Sequence, residues 1–182
     1  MEIDKSILII GQISSGKSTL ANRLAKELAL KKASFGGYLL NYCELSEIAD
    51  RSRDNLQAIG QRLIDNDHNK FLHAVIDFSA KGSQQVIFEG VRHLSIFDGI
   101  RKMTKHISAV YLEATYSQRL SRYLSREKKI DLEKTEAEFA KANAHCVEQE
   151  IPKLKEYCNL VISSADDPEV DYAVMKAFLS GF

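Results

Sequence analysis

Hydrophobic and polar positions alternate on two length scales along the chain. Short apolar runs, rich in Ile, Val, Leu, Phe and Tyr, are separated by longer stretches in which apolar residues recur every three or four positions. The short runs predict strands that are covered on both faces, and the longer stretches predict amphipathic helices. The predicted strands comprise residues 6–10, 33–39, 85–89, 108–113 and 159–163.

The helical stretches fall between these strands. The first places Leu20, Leu24 and Leu28 on one stripe. The predicted helices comprise residues 17–31, 53–64, 70–80, 115–128, 133–157 and 167–179, and Pro152 is expected to kink the fifth. Strands that alternate with helices predict βα units around a parallel sheet, and we find no linker or repeat. The expected fold is one doubly wound α/β domain, residues 1–182.

Composition narrows the class of protein. The chain has 182 residues, 45% hydrophobic and 27% charged, with 25 Lys and Arg against 25 Asp and Glu. A zero net charge without a long basic run argues against nucleic acid as a partner. The apolar run 7–10 is too short for a signal peptide or a membrane span, so no membrane partner is expected. Three cysteines without C-x-x-C spacing favour a cytoplasmic protein with inert thiols.

A glycine-rich loop carries the strongest chemical signal. Residues 11–19 read G-Q-I-S-S-G-K-S-T, which fits G-x-x-x-x-G-K-[ST] between a predicted strand and a predicted helix. The glycines let backbone N–H groups surround a polyphosphate, Lys17 neutralises its β and γ oxygens, and the Ser18 hydroxyl is a ligand for Mg²⁺. The predicted contacts to ATP come from Gly11, Ser14, Ser15, Gly16, Lys17, Ser18 and Thr19.

This loop resembles the Walker A motif of P-loop nucleotide kinases. That resemblance implies a five-stranded parallel sheet and a short helical lid. The N-K-x-D segment expected of GTPases is not found in the sequence. AAA+ and transporter ATPases are expected to need a longer chain than this one.

A second signal lies where the third predicted strand ends. Glu89, Gly90 and Arg92 follow an apolar run. They resemble the D-G-x-(x)-R segment of nucleoside-monophosphate kinases, with Glu in place of Asp and the shorter spacing of archaeal and phage-type relatives. The resemblance implies that Arg92 binds the acceptor phosphate. A carboxylate at this position can hold Mg²⁺ or accept a proton from a hydroxyl substrate, so Glu89 has two possible roles. The alternative is that Glu89 and Arg92 are ordinary surface residues at the end of a strand.

The start of the second predicted helix also matches these relatives. Residues 53–60 fit R-x-x-L-Q-x-x-G, which begins a helix beside the acceptor site in that group. The match implies that Arg53 binds a phosphate and that Gln57, one turn further, contacts a base or sugar. An ordinary capped helix start would show the same letters.

Three arginines share one face of the helix predicted over 115–128. Arg119, Arg122 and Arg126 are spaced i, i+3 and i+7. By resemblance, Arg119 contacts the nucleotide, Arg122 and Arg126 stabilise the transferring phosphoryl group, and a lid lies at about residues 126–132. The alternative is a solvent-exposed helix face on which Glu127 forms a salt bridge with the arginines.

Together these segments lead to a functional expectation. The protein is expected to be a kinase that moves the γ-phosphoryl group of ATP to a nucleotide-like acceptor, a nucleoside or deoxynucleoside monophosphate. One alternative is a kinase of a hydroxyl acceptor, such as the dephospho-CoA kinase group, with Glu44 or Glu89 as base. Another is a regulator that hydrolyses nucleotide slowly. The base, the sugar and the oligomeric state of the protein stay open.

Overall fold

The computed structural model describes residues 2–127 and 132–180. Its five strands are all parallel and stand in the order β2-β3-β1-β4-β5, so that β1 lies at the centre of the sheet. The strands are β1 (Ile3–Ile10), β2 (Lys31–Ser34), β3 (Gln85–Glu89), β4 (Thr104–Glu113) and β5 (Leu160–Ser163). The chain winds to one side of β1 and then to the other, which is the doubly wound arrangement expected. In such sheets ligands bind at the carboxyl ends of the strands.

Helices follow each strand. They are α1 (Lys17–Glu27), α2 (Phe35–Leu45), α3 (Arg53–Ser79), α4 (Leu94–Met103), α5 (Tyr116–Glu127), α6 (Leu132–Ala144), α7 (Cys146–Glu150) and α8 (Pro168–Leu179), with a 3₁₀ segment at Ile151–Tyr157. In the described ranges, no helix is long and apolar enough to cross a membrane. Most of the predicted lid, residues 128–131, and the side chain of Arg126 lie outside the described residues.

The hydrophobic core has two halves, one on each face of the sheet. Along β1, Leu8 and Ile10 face the half that α3 and α4 cover. Ile7 and Ile9 face the half that α1 and α8 cover. Both faces are buried because the strand is apolar at every one of these positions, as the sequence predicted.

The second predicted strand is wrong over most of its length. Strand β2 ends at Ser34, and residues 35–39 belong to α2. The Ser34 hydroxyl caps this helix by accepting the N–H of Gly37 at 3.2 Å. The first predicted helix was also too long, because α1 ends at Glu27 and β2 begins at Lys31. Helix α4 was not predicted.

The other long helical stretches differ from prediction in where they break. The stretches 53–64 and 70–80 form one element, α3, interrupted at Asp67 with φ −168° and ψ 97°. The stretch 133–157 divides into α6, α7 and the 3₁₀ segment. Its first break is at His145, which caps α7, whereas Pro152 lies near the start of the 3₁₀ segment.

Candidate active site

The loop between β1 and α1 has a backbone that only glycine accommodates at two positions. Gly11 has φ 151° and Gly16 has φ 101°. A Cβ atom on Gly11 would lie 2.5 Å from the carbonyl oxygen of Leu112 and 2.7 Å from Oγ of Ser15. The backbone at Gly11 therefore lies directly against β4 and against Ser15 of the same loop.

The loop leaves the start of α1 available to an anion. Gly16 is the N-cap residue, and within the described residues no side chain caps this helix. The first N–H groups of the helix are left without an internal partner. Ser14 and Ser15 are buried beside them. Backbone N–H groups at the positive end of a helix form a site for phosphate.

The side chain of Lys17 bends back and contacts the main chain of this loop. Its Nζ donates to the carbonyl oxygen of Gln12 at 2.6 Å, and only 9% of the residue is exposed. Burial lowers the pKa of Lys17 to about 7, even though the carboxylates of Glu148 and Glu89 favour the charged form. At neutral pH the Lys17 side chain is therefore only partly protonated, and phosphate oxygens placed beside it would favour the charged form.

Ser18 and Glu89 form an oxygen-rich pair beside the loop. The Ser18 hydroxyl donates to Oε1 of Glu89 at 2.7 Å, and the Ser34 hydroxyl donates to Oε2 at 3.1 Å. Burial alone would raise the pKa of Glu89, but the Ser18 hydrogen bond and the charge of Lys32 outweigh it and hold the pKa below its usual value. A hydroxyl and an ionised carboxylate are the hard oxygen ligands that suit Mg²⁺.

Two arginines meet on a carboxylate that the sequence analysis did not single out. Nη1 of Arg92 donates to Oε1 of Glu148 at 2.7 Å, and Nη2 of Arg53 donates to the same oxygen at 3.3 Å. Oε2 of Glu148 accepts the N–H of Ile13 in the loop at 2.8 Å. Glu148 is fully buried on α7, 56 positions from Arg92 along the chain. Its sequence neighbourhood matches no motif, so only the fold reveals it.

The loop, the Ser18–Glu89 pair and the arginine pair all border one cavity of about 260 Å³. Its polar lining includes Lys17, Arg53, Gln57, Glu89 and Arg92. Its apolar lining comes from α2, α3 and α4 and includes Phe35, Leu39, Leu56, Ile64, Phe71 and Ile96. Gln57 is 7% exposed, and nowhere in the described structure does its Oε1 or Nε2 find a hydrogen-bond partner. Such a buried amide is costly unless a ligand or a bound water molecule satisfies it.

Arg119 and Arg122, the two predicted arginines of α5 whose side chains are described, do not line this cavity. Arg122 donates to the carbonyl oxygens of Ser15 and Ala165, at 3.2 and 2.6 Å, and to Ser164 Oγ at 3.0 Å. Arg119 is buried and donates to Oδ1 of Asn143 at 2.7 Å. The predicted roles of these two residues in binding and catalysis stay predictions.

A second cleft lies on the other side of the loop. It has a volume of about 290 Å³ and is lined by Thr19 and Arg122 together with Ser164, Ala165 and Asp171. Asp171 fixes its wall by accepting the Ser164 hydroxyl and the N–H of Ala165, each at 2.8 Å. The cleft shares Gly16 of the loop with the first cavity.

The fold and this loop define a class of protein. A parallel sheet with a glycine-rich loop between its central strand and a helix is the fold of the P-loop nucleotide kinase superfamily. The profile of the family described as "AAA domain" matches residues 7–141, and the chain belongs to that family. The matched segment extends from β1 into α6.

Solved structures agree with this fold. A shikimate kinase from Acinetobacter baumannii, solved in complex with shikimate, superposes with a TM-score of 0.61 at 14% identity, over 98% of this chain and 94% of that one. A shikimate kinase from Bacteroides thetaiotaomicron gives 0.59 at 13% identity, over 97% and 98%. A putative kinase from Chloroflexus aurantiacus gives 0.57 at 14%, over 100% and 98%. No curated protein matches the chain.

Proposed function

We propose that the protein is an ATP-dependent kinase that transfers the γ-phosphoryl group to a nucleoside or deoxynucleoside monophosphate. The observation that carries this proposal is the convergence of Lys17, Arg53 and Arg92 on one cavity that also contains the unpaired amide of Gln57. The cavity begins at the phosphate-binding loop. An acceptor seated there has its reacting group next to the end of the bound triphosphate.

The arginine pair suits a phosphate on the acceptor. A guanidinium group carries five N–H donors in a planar fork that matches the oxygens of phosphate. The hydrogen bonds to Glu148 engage one terminal nitrogen of Arg53 and one of Arg92. The side chains are 36% and 26% exposed, so further donors are accessible from the cavity.

The remainder of the cavity suits a nucleoside. Leu39, Leu56, Ile64 and Phe71 form an apolar wall against which a flat ring can pack. The Gln57 amide offers a donor NH2 group and an acceptor oxygen side by side, and the edge of a nucleobase presents the complementary pair. Such a ligand resolves the unpaired amide, whereas a plain sugar leaves the apolar wall without a partner.

The mechanism follows from charge and position. An acceptor phosphate already carries an anionic oxygen, so the transfer needs no general base. Lys17 neutralises charge on the transferring group, and Arg53 and Arg92 hold the acceptor in line with it. Mg²⁺, held through Ser18 and Glu89, would neutralise charge on the phosphates when bound. Helices α2 and α3 line the acceptor side of the cavity.

A hydroxyl acceptor is the alternative that a specific observation favours. The Glu89 carboxylate lines the same cavity as the arginine pair, so it lies where a base for a hydroxyl group is needed. The second strand ends in Ser34. No acid of β2 or the first turn of α2 competes with Glu89 for that role among the described residues. The arginine pair would then bind a carboxylate or phosphate elsewhere on the acceptor.

A coupled assay of ADP release tests the proposal. The purified protein is given Mg·ATP and, one at a time, the ribo- and deoxyribonucleoside monophosphates, dephospho-CoA, shikimate and simple sugars. Lys17→Ala serves as the control for contaminating kinases. Turnover that depends on a monophosphate supports the proposal. Turnover only with a hydroxyl acceptor supports the alternative, and slow hydrolysis that no acceptor stimulates would contradict both and favour a regulator.

A further inference from the structure

A fully buried carboxylate connects the phosphate-binding loop with the arginine pair. Glu148 accepts the N–H of Ile13 through one oxygen and donors from Arg53 and Arg92 through the other. Its main-chain carbonyl accepts the Gln12 amide at 3.2 Å. Gln12 and Ile13 belong to the loop, so α7 is joined to it by both the main chain and the side chain of Glu148.

The carboxylate of Glu148 stays ionised in this place. Burial alone would raise its pKa, but the charges of Arg92 and Lys17 and the hydrogen bond from Ile13 outweigh burial, and the pKa lies below its usual value. Burying an ion pair costs desolvation energy that the attraction between the partners often only offsets. Fold stability alone is therefore a weak reason for this residue to be charged.

We propose that Glu148 is a positioning residue of the acceptor site, which holds Arg53 and Arg92 side by side and fixes them relative to the loop. The inference rests on the proposed function in one respect, that the arginine pair binds the anionic group of the acceptor. The oxygen that both arginines share sets the distance between them. The other oxygen of Glu148, which accepts the N–H of Ile13, sets the position of both arginines relative to the phosphate-binding loop.

The charges explain why the pair needs such a residue. Burial and the nearby charge of Arg92 lower the pKa of Arg53, so the two guanidinium groups lie close enough to repel each other. Each retains enough exposure for its guanidinium group to turn toward solvent. Without the carboxylate, the two arginines would separate, and an incoming anion would have to bring them together again.

A different role for Glu148 predicts the opposite change in anion affinity when its charge is removed. If the carboxylate merely occupied the anion site in place of the acceptor, removing its charge would free the arginines, and anions would bind more tightly. If it positions the arginines, removing its charge weakens anion binding. The affinity for a simple anion therefore separates the two roles.

Calorimetry with inorganic phosphate measures that affinity. The loop is first saturated with Mg²⁺ and the non-hydrolysable analogue AMP-PNP, so that phosphate has only the acceptor side available. In Glu148→Gln we expect the Kd for phosphate to rise about tenfold, and the Kd for AMP-PNP to change less than about threefold. The matched control is Glu156→Gln, at an exposed carboxylate of the following 3₁₀ segment, which should keep both values. Phosphate binding that is unchanged or tighter in Glu148→Gln overturns the proposal.

A second variant keeps the test decisive if Glu148→Gln does not fold. Glu148→Asp keeps the charge but withdraws it by one methylene group, so a positioning role predicts weaker phosphate binding in this variant as well. Retained wild-type affinity in Glu148→Asp, measured on folded protein, would contradict the role. A merely structural residue would lower the melting temperature without changing the Kd of the folded fraction.

The outcome is separable from that of the proposed function. Phosphate binding is measured without turnover, so the predicted shift can occur even if no acceptor is phosphorylated, and the proposed function then fails alone. If a monophosphate is phosphorylated, Glu148→Gln should raise its KM more than it lowers kcat. An unchanged KM together with unchanged phosphate binding would leave the kinase proposal intact and refute the positioning role.

Discussion

The hydroxyl of Ser18 donates a 2.7 Å hydrogen bond to Glu89, a residue 71 positions further along the chain. The two meet because β1 and β3 are neighbours in the sheet, with Ile9 level with Glu89. The loop that follows β1 then passes directly over the end of β3. This contact places a metal-binding hydroxyl and a carboxylate that stays ionised side by side at the phosphate end of the cavity.

Removing the Lys17 side chain should abolish most of the activity. The ammonium group is the charge nearest the predicted β and γ phosphates, and loss of such electrostatic stabilisation costs on the order of 10²-fold or more in kcat. The measurement is steady-state turnover of Lys17→Ala with the best acceptor. Lys26→Ala, at an exposed lysine of the same helix, is the control and should keep wild-type turnover. Wild-type turnover in Lys17→Ala would refute the assigned role.

Binding of the triphosphate should take up a proton at mildly alkaline pH. The pKa of Lys17 is about 7 in the free protein, and phosphate oxygens around the ammonium group raise it. At about pH 8 roughly 0.9 proton should be taken up on binding, and at about pH 6 roughly 0.1. Calorimetry of Mg·AMP-PNP binding in buffers of different ionisation enthalpy measures this number.

Lys17→Arg is the control for proton uptake. It keeps a charge that does not titrate in this range, so the pH-dependent uptake should disappear. The same uptake in both proteins would assign the proton to another group, such as the γ-phosphate itself.

Local motifs allowed half of the site to be predicted from the sequence. The loop and the end of β3 are each a short segment whose residue types are required by their own backbone or by the ligand. Gly11 and Gly16, the two glycines of the predicted motif, adopt positive φ angles in the structure. Glu89 ends β3 at the predicted residue, and Arg92 lines the same cavity.

The rest depends on contacts between distant segments. Glu148 matters because α7 packs beside the loop, and nothing in its neighbouring residues indicates that. The predicted strand 33–39 failed because Tyr38 and Leu39, apolar enough for a strand, instead pack from α2 against the core. Periodicity predicted that α5 presents its arginines on one face, but the carbonyl groups that receive Arg122 belong to other parts of the chain.

A methyl group on Gly11 should damage both the fold and the loop. In Gly11→Ala the new Cβ would lie 2.5 Å from the backbone oxygen of Leu112, at a φ angle that L-residues rarely adopt. Strain of this kind costs about 1–3 kcal/mol, so we expect the free energy of unfolding in urea to fall by that amount. Affinity for AMP-PNP should fall as well. Gly36→Ala is the control, since its Cβ meets nothing within 4 Å and its unfolding should change little. A fully stable Gly11→Ala that binds AMP-PNP normally would contradict this view of the loop.

Arg92 should contribute to acceptor binding more than to ATP binding. Its guanidinium group lines the acceptor cavity, and the loss of one or two charge-assisted hydrogen bonds to a phosphate raises the acceptor KM by about 10- to 100-fold. The KM for ATP should change little. The comparison is steady-state kinetics of Arg92→Ala and of Arg101→Ala, an exposed arginine of α4 that pairs only with Asp98 among the contacts described. A mild effect of Arg92→Ala on the acceptor KM would overturn the phosphate-acceptor assignment.

The pH dependence of Glu89→Gln should distinguish a metal ligand from a general base. The pKa of Glu89 lies below its usual value, so the carboxylate is ionised throughout the range above about pH 5.

If the acceptor is a phosphate, Glu89→Gln should raise the Mg²⁺ concentration needed for half-maximal rate by on the order of tenfold and lower kcat. Any acidic limb near about pH 6 should persist in this variant, because it arises from the acceptor phosphate. If Glu89 is instead the base for a hydroxyl, wild-type kcat should fall only in acid, below the usual pKa of a glutamate, as the carboxylate is protonated, and Glu89→Gln should lose that limb with most of kcat. The measurement is kcat against pH and against Mg²⁺ for both proteins. Loss of the acidic limb without a change in Mg²⁺ dependence would assign Glu89 the role of base.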